Sequence, residues 1–100
     1  MTPVDVPRVV AGLAAGGSAA LATLGDVAIK AVRLRGADPW HCHADRDEGV
    51  FVIDGYLQIE LDRRTLRLAA GDFFLVPRGT RHRGLAPAGA SLLRFEPLHG

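Results

Sequence analysis

Val50-Phe51-Val52-Ile53-Asp54-Gly55-Tyr56-Leu57-Gln58-Ile59-Glu60-Leu61 is the stretch that decides the fold. Its first four residues are an unbroken apolar run, the pattern of a strand covered on both faces. After Asp54-Gly55, Leu57, Ile59 and Leu61 alternate with Tyr56, Gln58 and Glu60, the rhythm of a half-buried strand. An Asp-Gly pair between two such runs predicts a tight hairpin, because type I′ turns need positive φ at both central residues.

The pattern continues on both sides. Asp62-Arg63-Arg64 reads as the next turn, Leu66 and Leu68 resume the alternation, and Gly71-Asp72 ends it. Phe73-Phe74-Leu75-Val76 is a second run expected to be covered on both faces. Pro77-Arg78-Gly79-Thr80 is a turn by its Pro and Gly placement, and a last strand is expected over Ser91 to Glu96. Upstream, Val27 to Arg35 is rich in β-branched residues, and Gly36 to Pro39 breaks it. Short strands cut by Gly, Pro and Asp turns predict an antiparallel sandwich or barrel over residues 26–100. Residues 1–25 read as an N-terminal arm, either a short helix on Val9, Val10 and Leu13 or a segment packed on a partner chain. Gly12, Gly16 and Gly17 weaken the helix, at about 1 kcal/mol each relative to Ala.

A chain of 100 residues supports one core, burying roughly two-thirds of its surface. Hydrophobic residues at 48% and charged residues at 23% fit a globular protein rather than a disordered one. The net charge of +1 provides no electrostatic footprint for nucleic acid. One cysteine, Cys42, excludes an internal disulfide framework and thiolate-rich zinc modules. The uncharged run from Val9 to Gly25 is mostly Ala and Gly, too weakly apolar to span a bilayer. Asp5, Pro3 and Pro7 near the start do not suit a signal peptide, so a cytoplasmic location without membrane attachment is expected.

The chemistry-bearing residues lie in two places. His41 and His43 are one residue apart, which on a strand puts both imidazoles on one face. Glu48 follows just before the apolar run, and His82 stands far off after the Pro77–Thr80 turn. Three neutral imidazoles and one carboxylate suit a divalent transition metal and not Ca or Mg, which want oxygens. A His-x-His pair alone is weak evidence, since it is often a pair of surface or hydrogen-bonded histidines. The fourth histidine, His99, lies at the C-terminal fringe and carries no assignment.

Taken together, Gly36-x4-His41-x-His43-x4-Glu48-x6-Gly55 resembles the first motif of the cupins, and Gly71-x5-Pro77-x-Gly79-x2-His82 resembles their second. The two cover Gly36 to His82, about half the chain, and their combined spacing is far more specific than either half. The first Gly stands one residue closer to the histidine pair than usual, and Ala86 occupies the place of the usual Asn. The resemblance implies a small single-domain member of the family: an all-β, antiparallel double-stranded β-helix or jelly-roll barrel of about six to eight strands. It implies a metal held by His41, His43, Glu48 and His82, with Zn, Mn, Fe, Ni or Co as the ion. The competing reading is a hydrogen-bonded core network of the same four side chains without metal.

Gly55, Gly71 and Gly79 are read as architectural, at turns or barrel corners. Trp40 is read as a packing aromatic at the pocket mouth and Cys42 as a small core residue. Arg78 and Arg81 border the second motif, where either could hold an anion. Tyr56, Gln58 and Glu60 share a face that either lines the barrel or meets solvent. Ser18 and Ser91 lack nucleophile-elbow surroundings, and no residue is assigned a catalytic role. Two functional classes follow. One is a metal-dependent enzyme, dioxygenase- or isomerase-like, on a small polar molecule. The other is a non-catalytic metal and small-molecule binding module. Exposed sheet edges and apolar outer faces predict a homodimer, paired through a sheet face or an exchanged N-terminal arm.

Overall fold

In a computed structural model describing residues 1–98, the chain begins with a capped helix. Asp5 accepts a hydrogen bond from the Arg8 backbone N–H, and Pro7 stands in the first turn where its missing N–H costs nothing. The helix, α1 (Val6–Ala11), stops at Gly12. β1 (Ser18–Leu24) and β2 (Val27–Ala37) then form an antiparallel hairpin around Gly25. After a loop come β3 (Glu48–Glu60), β4 (Thr65–Ala69), β5 (Phe73–Val76) and β6 (Arg83–Pro97). The strand order is β1-β2-β6-β3-β4, with β5 also pairing β3, and every pairing is antiparallel. This is the antiparallel β-barrel that the sequence predicts. His99, which carried no assignment, lies with Gly100 outside the described residues.

Three expectations are corrected. Asp54-Gly55 is not a hairpin turn: β3 runs through it as one strand of 13 residues. Register shifts against β6 between Val52 and Asp54, and again between Gly55 and Gln58, bend the strand. The bend also moves the inward phase from Glu48, Val50 and Val52 to Leu57 and Ile59. Bulges do this wherever a sheet turns a corner. The first half of β3 pairs with β5 and the second with β4, while β6 runs along both. Phe73–Val76 is covered on one face only: Val76 is 2% exposed but Phe73 and Leu75 are 57% and 49% exposed. Finally, residues 18–24, read as part of an arm, form β1 and pair with β2 from Ser18↔Val32 to Leu24↔Val27. Ser-Ala-Ala-Leu-Ala-Thr-Leu has little intrinsic β preference, and the ladder to β2 overrides that. The preceding segment is tied down as well, since Arg33 donates from Nη1 to the Leu13 carbonyl at 2.8 Å.

The core lies between the inner faces of β2, β3, β4 and β6. Val32, Leu34, Val50, Val52, Leu57, Ile59, Leu68, Ala86, Ala90 and Leu92 form its buried cluster. Each large aliphatic side chain there contributes about 1.5–3 kcal/mol on burial. At one end of the same inner face the apolar row gives way to Glu48, His82 and Arg94. No helix among the described residues is long and apolar enough to cross a membrane.

The corner at Gly55 makes a quantitative prediction. Its φ is +82°, and a Cβ there would lie 2.5 Å from the Gly89 carbonyl oxygen. Gly71, at φ +89°, has open space around the same position. Gly71→Ala therefore costs only the conformational strain, about 1–2 kcal/mol. Gly55→Ala adds a backbone collision and costs about 1–3 kcal/mol more. Urea melts of the two variants measure the difference; equal midpoints contradict the corner assignment.

Candidate metal centre

An isolated antiparallel bridge brings the two motifs together. His41 N–H donates to the His82 carbonyl and His82 N–H to the His41 carbonyl, both at 3.0 Å. Gly79 N–H donates to the His43 carbonyl at 2.7 Å, and Arg78 N–H to Asp47 Oδ1 at 2.9 Å. The turn before β6 is thus laced to the loop before β3, along most of that loop's length. Glu48 opens β3 with its side chain on the inner face and is 2% exposed.

All four sequence-identified side chains meet at one oxygen. Glu48 Oε2 lies 3.3 Å from His41 Nε2, 3.1 Å from His43 Nε2 and 3.6 Å from His82 Nε2. His41, Glu48 and His82 offer donor atoms within 4.8 Å of one another, and His43 adjoins this trio through Glu48. The His41 and His82 rings stand 4.2 Å apart between centroids. Their outer nitrogens are committed: His41 Nδ1 donates to the Pro39 carbonyl at 3.0 Å, and His82 Nδ1 to the Thr80 carbonyl at 2.9 Å. A carbonyl only accepts, so Nδ1 carries the proton in both rings. In the neutral rings each Nε2 then presents a lone pair to the centre. His82 Nε2 is buried and has no hydrogen-bond partner.

This arrangement is electrostatically incomplete without a cation or protons among the nitrogens. Burial alone would raise the Glu48 pKa, but the His41 hydrogen bond, the nearby His82 imidazole and the charge of Arg94 outweigh it and hold the carboxyl well below its ordinary range. The hydrogen bond to Glu48 raises His41 above its usual value, against the opposing effect of burial. Three imidazole nitrogens with fixed tautomers or a shared carboxylate partner, plus one ionised carboxylate, match the donor set of a first-row divalent metal. Val50, Leu57 and Ile59 floor the cavity, which leaves free space of about 10 Å³, room for one water-sized occupant.

Other expectations fare differently. Trp40, read as a packing aromatic, is one residue out of phase with His41, and its ring packs under Arg81 at 4.6 Å and Arg83 at 5.2 Å in cation–π contacts. Cys42 shares that outward phase and is exposed, which corrects its reading as a core residue. Arg78 and Arg81 are exposed rather than turned into the cavity. Tyr56, Gln58 and Glu60 face outward, where Arg67 covers the Tyr56 ring at 4.5 Å and Arg83 pairs with Glu60. Asp38 and Arg94, which line the cavity, escaped the sequence reading. Arg94 shares the inward phase of Ala90 and Leu92, a signal that the alternation carried. Asp38 sits in a break with no periodicity to mark it.

The chain is a small antiparallel barrel with a histidine–carboxylate cluster at one end of its interior, a donor set that could hold a metal ion. The comparisons place it more narrowly. The family described as the cupin domain matches residues 32–93, and the chain belongs to that family. Over 46 residues it is 44% identical to quercetin 2,3-dioxygenase of Bacillus subtilis (strain 168), covering 46% of this chain but 14% of that protein. It is 36% identical over 64 residues to the uncharacterized protein YdbB of the same organism, covering 63% of this chain and 57% of YdbB. The chain thus spans less than two-thirds of either relative. A crystal structure of a cupin-2 domain containing protein from Shewanella frigidimarina superposes with a TM-score of 0.83 at 28% identity, covering 91% of this chain and 89% of that one.

The His41–Glu48 pair sets a pH window for the metal-free protein. His41 is raised above 6.5, so its contribution to stability is complete below that value and fades as pH rises through the raised pKa. Glu48 is lowered below 4.5, so its contribution is complete above that value and is lost as pH falls through the lowered pKa. Both act together between 4.5 and 6.5. In Glu48→Gln, an NMR titration is expected to show His41 returning toward its ordinary pKa; an unmoved His41 contradicts the coupling.

Proposed function

We propose that His41, His43, Glu48 and His82 hold a divalent transition metal, one of Zn, Mn, Fe, Ni or Co, in a cytoplasmic metal-dependent enzyme for a small polar molecule. The observation that carries this reading is the set of imidazole nitrogens turned onto one buried carboxylate oxygen, with His82 Nε2 left unpartnered. A purely hydrogen-bonded network would satisfy that atom. An ion bound there would supply Lewis acidity, or dioxygen activation were it iron. The chain's own residues do the rest. The Pro39 and Thr80 carbonyls set the imidazole tautomers, the His41–His82 bridge sets their spacing, and Val50, Leu57 and Ile59 keep bulk water from the floor.

Dioxygenase-like chemistry is favoured within this reading by the partial likeness to quercetin 2,3-dioxygenase, a much longer protein of which this chain matches 14%. The free space beside Glu48 cannot take an organic molecule whole, so the substrate would approach from the side of the more open His41, 33% exposed against 5% for His82. The second reading, a binding module without turnover, is favoured by that same small volume. Protein reconstituted with each metal and offered diketones, thiols and sugar phosphates separates them. Oxygen uptake or product formation supports the enzyme; tight metal binding with no turnover under any metal supports the module.

His43→Ala is expected to release most of the metal while the barrel stays folded, as read by elemental analysis and circular dichroism. Full occupancy removes His43 from the ligand set. Metal should also leave as pH falls below about 6, because ligating imidazoles must be neutral. Retention at about two units lower contradicts a histidine site. The protein is further proposed to pair with a second copy, because β1 is a sheet edge and Leu24, Phe73 and Leu75 are exposed. Light scattering at the monomer mass of 10.6 kDa would refute pairing.

A further inference from the structure

We propose that Asp38, Arg94 and Gly84 form a positioning device that fixes the orientation of the Glu48 carboxylate for metal binding; this rests on the metal reading of the site. Glu48 has two oxygens with different surroundings. Oε2 faces the three imidazoles, while Oε1 faces Arg94 Nε at 3.9 Å. Rotation about the terminal carboxylate torsion is soft, so nothing within Glu48 itself keeps Oε2 on the histidine side. Arg94 supplies the asymmetry. Its Nε–H is buried, has no hydrogen-bond partner and stands opposite Oε1. Its Nη2 is bound to Asp38 Oδ2 at 2.5 Å, which anchors the guanidinium plane. A planar fork can address two carboxylates at once.

Asp38 is itself held from the far side. Its backbone N–H donates to the Gly84 carbonyl at 2.9 Å. A Cβ on Gly84 would lie 3.1 Å from Asp38 Oδ2, tighter than such contacts normally run. Glycine at 84 therefore leaves the space that the Asp38 carboxylate occupies. Gly84 is on the inner face of β6 two residues after His82, and Arg94 is on the same strand after its bend. The strand that follows His82 thus carries both Gly84 and Arg94. Arg94 is poorly suited to hold a substrate anion, because Asp38 and Glu48 already oppose its single charge. A positioning role predicts an effect on the ion with no substrate present, and an anion-receptor role predicts none.

The experiment titrates Co(II) into substrate-free wild type and variants against a competing chelator, and records the visible spectrum of each loaded protein. The double variant Asp38→Asn/Arg94→Met removes both halves of the Asp38–Arg94 pair together and leaves Glu48 to the imidazoles alone. It is expected to bind Co(II) about 10- to 100-fold more weakly, with shifted d–d bands. Arg94→Lys is expected not to restore wild-type affinity, because an ammonium lacks the fork. Gly84→Ala keeps every charged group but crowds Asp38, and is expected to shift the bands in the same direction with a smaller loss. Should the double variant not fold, Gly84→Ala decides. Wild-type affinity and an unchanged spectrum in the folded variants overturn the proposal. If wild type itself takes up no Co(II), the metal reading fails and the device falls with it, an outcome visible in the first titration.

Discussion

A carboxylate buried at the end of a barrel, with imidazoles turned onto one of its oxygens, is the constraint around which the rest of this protein is arranged. Ionised Glu48 at 2% exposure is costly unless its charge is met. His41 and His82 can meet it only by carrying a second proton or by sharing a cation with it, because the Pro39 and Thr80 carbonyls have already committed their other nitrogens. The surrounding architecture serves to hold this high-energy meeting in place. The His41–His82 bridge sets the distance between the two halves, and the lacing at Gly79 and Asp47 keeps the loop from opening.

The barrel makes the meeting possible by bending long strands instead of joining short ones. β3 carries Glu48 at one end and core residues Leu57 and Ile59 past its bulge, and so belongs to both halves of the barrel. β6 does the same with His82 just before it and Arg94 near its far end. Gly84 and Arg94, from either side of the bend in β6, therefore return to one cavity. The cavity is small, and Val50, Leu57 and Ile59 line it beside Glu48 and the imidazoles of His41 and His82.

Much of this was legible in residue order. Alternation over Leu57–Leu61 and Leu66–Leu68 identified inner and outer faces, and the turns at Asp62–Arg64, Gly71-Asp72 and Pro77–Thr80 fell where Pro, Gly and Asp placed them. The misreadings share a cause. Asp54-Gly55 has the local chemistry of a hairpin, yet positive φ at Gly55 is used for a bulge, because β6 offers both halves of β3 a common partner. Phe73 and Leu75 look like buried residues, but β5 has only one face against the barrel. β1 escaped notice because its alanines signal nothing until β2 lies alongside.

The sequence by itself determined the β class, the turns, and the identity and spacing of His41, His43, Glu48 and His82, because side-chain alternation and Gly or Pro backbone preferences are local properties. Tertiary structure alone decided that these four groups share one oxygen, that Asp38 and Arg94 stand behind Glu48, and that Trp40 and Cys42 face outward. Those outcomes depend on the register between strands distant in the chain, and register is set by bulges and cross-strand packing that no single segment encodes.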